Sequence, residues 1–245
     1  MPNRQPQILA TSGGFKGPAT GPYRARRGGL LDHALRLTGL AKPRLCFLAT
    51  AGGDNDSEIA GYYNAFAGSD DAIVSHLELF LMPNVPDPRA HLLAQDVIWV
   101  GGGSVANLLA VWRTHGLDDA FHEAWERGVV LAGVSAGSLC WHVGGTTDSY
   151  GLDLRPVTNG LGLLPHSNGV HYDAEEQRRP LFEQLIGDGT LPDGYATDNG
   201  VGLHYIGTEL HEVLSEIEGA TGYRVERVGP GEVRETVLEP TMLTG

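Results

Sequence analysis

The sequence predicts an α/β fold: a three-layer sandwich on a mostly parallel, flavodoxin-like sheet, closed by a C-terminal β-meander at the sheet's edge. Three observations carry this. Up to residue 132, short apolar runs of strand length alternate with amphipathic runs of helical period, the pattern of a parallel sheet with helices on both faces. Most of the apolar runs end in glycine-rich loops, at residues 11–17, 50–56 and 101–104. The stretch VVLAGVSAGSLCWH, residues 129–142, joins an apolar run to a helical start through Gly-x-Ser-x-Gly, the pattern of a nucleophile elbow.

Residues 8–10 read as the first strand. Residues 28–40 read as a helix with Leu30, Leu31, Ala34 and Leu37 on one face. A buried strand at 43–49 precedes a helix at 57–66 that Ser57 can cap. A strand at 74–80 is followed by a short helix at 88–94, with Pro88 suited to its first turn. The strand 96–100, helices 105–115 and 117–127, and the strand 129–132 complete the alternation. From 144 to 170 the chain is rich in Gly, Thr, Asn and Pro and reads as a long irregular segment; a loop of that length inside a compact domain is usually functional. A charged amphipathic helix at 174–186 contains Pro180. Strand-like pieces at 201–206, 210–214, 223–228 and 233–238 form the meander, so one domain spanning residues 1–245 is expected.

Composition narrows the function. A hydrophobic fraction of 41% is ample for a core, and a formal net charge of −13 disfavours nucleic acid and anionic membrane as partners. The two cysteines, Cys46 and Cys140, sit in apolar surroundings without metal-ligand spacing. They read as free thiols of a cytoplasmic protein. No apolar run reaches membrane-spanning length, and residues 1–14 lack a signal-peptide core. The sequence leaves the oligomeric state open, a homodimer included.

The elbow supplies a candidate mechanism. Ser135 stands at its apex, where the backbone is expected to be strained and the side chain to point outward. The amide of Ala136, at a helix start, is placed to donate to an oxyanion. With 35 glycines in the chain, Gly-x-Ser-x-Gly alone is a weak signal, and the flanking strand and helix are what strengthen it. A serine nucleophile needs a base, and His142, His166, His171, His204 and His211 lie downstream. His171 stands out because it closes the long segment just before a helix. An imidazole also needs an orienting carboxylate; Asp148 lies in the same segment, with Asp153 as the rival.

GVSAGS, the TTD after it, LGLLP followed by a histidine, and the upstream VGGG together resemble the peptidase E family, aspartyl dipeptidases that belong with cyanophycinase to the serine-peptidase branch of the class I glutamine-amidotransferase-like fold. The likeness covers residues 96–179 well and the flanks loosely. It implies Ser135 as nucleophile, His171 as base and Asp148 as triad acid. It also implies Gly102 or Gly103 beside Ala136 in the oxyanion hole. Ser104, Glu175, Arg178 and Arg179 become the residues expected to meet the substrate, with Asp54 and Asp56 as further carboxylates for an ammonium group. No cofactor and no metal is implied. Two departures stand out. Ser104–Val105 replaces the family's Asn-Thr, and Glu175 stands where aspartate-specific members carry arginine, which implies a weaker preference for an N-terminal aspartate. The expected reaction is hydrolysis of dipeptides or short peptides near a free N-terminus through an acyl-enzyme. The alternatives are an esterase or cyanophycinase-like hydrolase on the same triad, or a binding protein that keeps the elbow.

Overall fold

A computed structural model describes residues 5–17 and 26–243; residues 1–4, part of the stretch read as lacking a leader, lie outside it. The central sheet has eight strands. Five are parallel and run, from one side to the other, Gln7–Thr11, Val130–Val134, Val97–Val100, Arg44–Leu48 and Ile73–Leu77. The connection after Arg44–Leu48 leads outward to Ile73–Leu77, while that after Val97–Val100 leads the other way to Val130–Val134, so the switch point lies between these two strands and the crevice for a ligand falls beyond their carboxyl ends.

Period-two alternation sends successive side chains of each strand to opposite faces. Val97 and Trp99 join Phe47 and Tyr62 on the face covered by the helices Gly29–Leu37 and Asp56–Ala65. There Phe47 stacks on Tyr62 at 4.2 Å between ring centroids. Ile98 and Val100 face the helices Pro88–Leu93, Val105–Thr114 and Asp118–Glu126. On that side Trp112, Phe121 and Trp141 form a buried aromatic cluster, with Trp112 and Phe121 at 4.2 Å. The helix Asp56–Ala65 is capped by Asn55, whose side chain accepts from the Glu58 amide at 2.9 Å, and not by Ser57.

Two expectations are corrected beyond the elbow. Residues 144–170 are not one long irregular loop: they hold the strands Arg155–Val157 and Leu164–Gly169 and most of His142–Thr147. These strands belong to a second, six-stranded sheet with Gly194–Thr197, Gly222–Gly229 and Glu232–Leu238. The C-terminal meander is also divided. Val201–Ile206 and Glu209–Ser215 extend the edge of the central sheet antiparallel, as expected, while the last hairpin pairs onto the second sheet. The charged helix begins later than expected, at Arg178, which places Pro180 in its first turn, where a missing amide costs nothing. It packs with Tyr172 in a small core of its own beneath the second sheet.

His142 opens the second sheet fully buried, with its Nδ1 facing the Ser138 carbonyl at 2.9 Å and Nε2 unpartnered. Burial holds its imidazole down at about 3. Its folded value lies below the unfolded one near 6.5, so its contribution is complete above about pH 6.5 and declines as pH falls toward 3. At pH 5 the loss is roughly 2 kcal/mol from this residue. Urea unfolding at pH 7.5 and pH 5 should show that loss, and His142→Gln should shrink it. An equal pH dependence in the variant would reject the assignment.

Candidate active site

Ser135 follows the strand Val130–Val134 and caps the single helical turn Ala136–Leu139 with φ 58° and ψ −111°. Only tight sterics make such a turn necessary. A Cβ on Gly137 would lie 2.2 Å from the Val100 carbonyl oxygen, and one on Gly133 would lie 2.5 Å from the Gly137 carbonyl oxygen. Both glycines are therefore dictated by the close passage of helix over strand. The Ser135 amide donates to the Thr11 carbonyl at 3.0 Å, and Thr11 Oγ1 donates to the Gly133 carbonyl at 3.0 Å. The neighbouring strand thus braces the strained apex.

The glycine-rich loops do meet at this apex. An ideal Cβ on Gly102 would stand 3.4 Å from Ser135 Cβ, so the Gly101–Gly103 backbone passes directly beside the serine. Gly103 has φ 130°, and a Cβ there would lie 2.4 Å from the Ala51 carbonyl oxygen. The loop after Arg44–Leu48 therefore lies against the loop after Val97–Val100, joined by the Ser104 amide donating to Ala51 at 2.9 Å. Ala136 is the first residue of its helix, and its amide has no intrahelical acceptor.

His171 also has an unusual backbone, with φ 53°. Among the described residues only Asp54, Ser135 and His171 are non-glycines in the left-handed region. Its amide donates to Ser12 Oγ at 3.1 Å, and Ser12 Oγ meets Thr197 Oγ1 at 2.7 Å. The loop after the first strand thus holds the histidine. The Ser135 hydroxyl makes no hydrogen bond to His171 here; such contacts often tighten only when substrate is bound. His142 is buried in the core, and His166 packs edge-on against Tyr195.

The carboxylate expected on the ring is not there. Asp148 and Asp153 are both exposed, and neither is hydrogen-bonded to His171. The Nδ1 atom of His171 instead meets Asn199 Oδ1 at 2.5 Å. Topology explains the exchange. The strands ending at Thr147 and Thr197 flank the strand leading to His171. After Thr197 the chain is stitched to the histidine loop, with Tyr172 donating to the Thr197 carbonyl and the Asn199 amide to Asp173. The turn after Thr147 is tied instead to the start of the helix that follows the Gly101–Gly103 loop, its Ser149 hydroxyl accepting from the Ala106 amide at 3.4 Å.

The expected substrate residues are largely engaged within the protein. Ser104 caps the helix Val105–Thr114, accepting from the Asn107 amide. Arg178 is buried and pairs with Glu175 at 3.0 Å. Arg179 lies over Tyr172 and Tyr223 and pairs with Glu235. Asp54 accepts from the Leu79 and Phe80 amides, so it shapes a loop. Asp56 is an exposed residue in the first helical turn.

Sequence reasoning missed Asn199, Ser12 and Glu58. Ser12 lies in the glycine-rich loop at 11–17 and Asn199 just before the strand-like piece at 201–206, with no local pattern that marks either. Glu58 falls in the first turn of the expected helix at 57–66 and carries no signal of its own. Its carboxylate in fact bonds Tyr62 and Asn55 beside Gly52 and Gly101, where a Cβ on Gly101 would stand 2.3 Å from Glu58 Oε1. Burial raises its pKa, and the bonds from Tyr62 and Asn55 oppose that rise.

Residues 22–213 match peptidase family S51. The chain belongs to this family. The peptidase YgaJ of Bacillus subtilis (strain 168), itself named as uncharacterized, is 46% identical over 186 residues, covering 75% of this chain and 78% of that protein. Peptidase E of Streptomyces coelicolor is 31% identical over 148 residues, covering 59% of this chain and 58% of that one. Two solved structures share the fold. The crystal structure of a peptidase from an acI-B1 Actinobacterium superposes with a TM-score of 0.65 at 16% identity, over 96% of this chain and 98% of that one. The structure of a putative peptidase E from Listeria monocytogenes EGD-e gives 0.55 at 15%, over 96% and 100%. This S51 member is a peptidase, a hydrolase acting on peptide bonds, and the serine type agrees with its family. No helix among its described residues is long and apolar enough to cross a membrane.

Proposed function

We propose that this S51 peptidase hydrolyses dipeptides or short peptides near a free N-terminus, with Ser135 as nucleophile and His171 as base. The observation that carries the reading is the pair of strained residues, Ser135 at φ 58° and His171 at φ 53°. The Ser135 amide donates to Thr11 at the end of the first strand and the His171 amide to Ser12 just after it, and backbone strain of this kind clusters at working sites.

In the proposed mechanism Asn199 Oδ1 accepts from His171 Nδ1–H. That bond selects the tautomer whose Nε2 lone pair takes the Ser135 proton, the role an asparagine also serves in Cys-His-Asn proteases. Ser135 Oγ attacks the peptide carbonyl. The amides of Ala136 and of Gly102 or Gly103 receive the oxyanion, worth on the order of 3 kcal/mol per donor. His171 returns the proton to the leaving amine, and water then hydrolyses the acyl-enzyme by the same route. Asp148, exposed and without a hydrogen bond to His171, has no part in it.

The proposed small-substrate preference draws on the close-set glycine loops and on the turn at 148–153, tied beside the start of the helix Val105–Thr114 by Ser149. Selectivity for an N-terminal aspartate is expected to be weak, because Arg178 and Arg179 are already paired. Glu58, against Gly101 at the mouth of the loop, is the carboxylate proposed to meet the substrate's ammonium group. Glu58→Gln should raise KM for dipeptides about tenfold, the size of one charge-assisted bond, with kcat little changed. It should also erase the preference for free over N-acetylated dipeptides. An unaltered preference would remove Glu58 from this role. The proposal as a whole is tested by fluorophosphonate labelling of Ser135 and by turnover of an Xaa-Leu dipeptide set. Efficient cleavage of casein at internal bonds would sink the small-substrate reading.

A further inference from the structure

Away from the glycine loops, three side chains from distant parts of the chain converge. His33 comes from the helix Gly29–Leu37, His204 from the strand Val201–Ile206, and Glu212 from the neighbouring strand Glu209–Ser215. His204 and Glu212 are register partners across the two strands. His204 Nδ1 lies 3.0 Å and His33 Nε2 lies 3.6 Å from the same oxygen, Glu212 Oε1. All three ligand atoms fall within 4.8 Å of one another.

Two features of this cluster are hard to reconcile with an ordinary hydrogen-bonded group. His33 Nε2 is buried and has no hydrogen-bond partner, and a buried ring nitrogen without a partner is costly. His204 Nε2 meets Gln7 Oε1 at 2.9 Å. With Nε2–H donating to Gln7, Nδ1 of His204 carries a lone pair, and that lone pair points at a carboxylate oxygen. A cation placed between the three atoms satisfies all of them together. Gln7 then serves as the outer partner that fixes the ligand's tautomer.

We propose that His33, His204 and Glu212 hold one divalent transition-metal ion of the zinc class, with water completing the fourth position. Two imidazoles and a carboxylate suit such an ion. Metal–ligand bonds of about 2.0–2.2 Å in a tetrahedron put ligand atoms roughly 3.3–3.6 Å apart, close to the two spacings found here. Burial keeps the His33 imidazole down at about 4 and lowers that of His204, so both rings are neutral at pH 7, the state that ligates. Glu212 and His33 keep some solvent access, at 31% and 16% side-chain exposure, which leaves a route for the ion and the water. The ion would tie the helix to the added edge strands of the central sheet, so its role is structural and independent of the peptidase mechanism.

The test is titration of the full, untagged, EDTA-treated chain with Zn²⁺ by calorimetry, and with Co²⁺ by visible absorption. Expected are one Zn²⁺ bound per chain, a tetrahedral Co²⁺ spectrum, and a thermal unfolding midpoint raised by Zn²⁺. His33→Ala and Glu212→Gln, checked for folding by circular dichroism, should each weaken Zn²⁺ binding more than tenfold and lose the Co²⁺ spectrum. Gln7→Leu, which touches no metal, should weaken it about tenfold, the usual effect of losing an outer partner. Absence of saturable binding by the parent chain overturns the proposal. So does binding that all three variants retain unchanged.

Discussion

Ser135→Ala is expected to lower dipeptide hydrolysis by on the order of 10⁶-fold, the scale of removing a nucleophile from a serine peptidase, while the fold is kept. The serine side chain makes no hydrogen bond that holds the elbow; the bracing runs through its amide to Thr11. Stability should therefore change little in the alanine variant. Ser135→Gly should be as inactive yet more stable than Ser135→Ala by about 1 kcal/mol, because glycine relieves the left-handed strain at this position. Steady-state assays with a fluorogenic dipeptide and thermal unfolding of the three proteins decide this. Residual activity within tenfold of the parent in Ser135→Ala would remove the serine from the mechanism.

The second large effect separates Asn199 from Asp148. Asn199→Leu keeps the branched heavy-atom skeleton and removes the acceptor from His171 Nδ1, and kcat should fall roughly 10²- to 10⁴-fold, as when a triad histidine loses its correct tautomer. Asp148→Asn should stay within about threefold, the range of an exposed residue outside the chemistry. Asn199→Asp supplies an independent signature. A carboxylate on the ring favours the imidazolium and raises its pKa. The reaction needs the neutral ring, so the acid limb of the kcat/KM profile should move to higher pH. A merely structural asparagine would not shift that limb. If Asp148→Asn is the variant that loses activity, the carboxylate assignment implied by the family resemblance is restored.

These outcomes bear on how much of the molecule is legible in its sequence. The parallel half was readable because its signals are local. Strands such as VIWV at 97–100 are buried on both faces and read as unbroken apolar runs. The helices between them show a clean apolar stripe, as in GLLDHALRL. The elbow was readable because its two glycines answer to contacts within one strand–turn–helix unit.

The second sheet was not readable, and the reason is steric. Gly144 and Gly145 look like loop residues, since glycine is depleted in strands. A Cβ on Gly145 would lie 2.0 Å from the Asn168 carbonyl oxygen. Glycine is present because the backbones approach so closely, and that approach exists only once residues 142–147 and 164–169 have paired. Ser57 was likewise expected to cap a helix that Asn55 caps, two residues earlier. Element ends depend on which of several competent side chains the incoming backbone presents.

The sequence by itself determined the α/β alternation, the elbow with Ser135 at its apex, and the glycine loops that surround it. Each is dictated by interactions between residues a few positions apart, or by burial that any parallel sheet imposes. Tertiary structure alone decided which side chain faces His171. Asp148 and Asn199 lie in loops at the same end of the second sheet, on either side of the histidine's strand. The hydrogen bonds of Tyr172 and Asp173 draw Asn199 in, while Ser149 takes the Asp148 turn toward Ala106. Long-range pairing also brought together His33, His204 and Glu212, separated by up to 179 positions along the chain (33 to 212). No local pattern marks such partners, because the free energy that selects them comes from burying two sheets and their helices together.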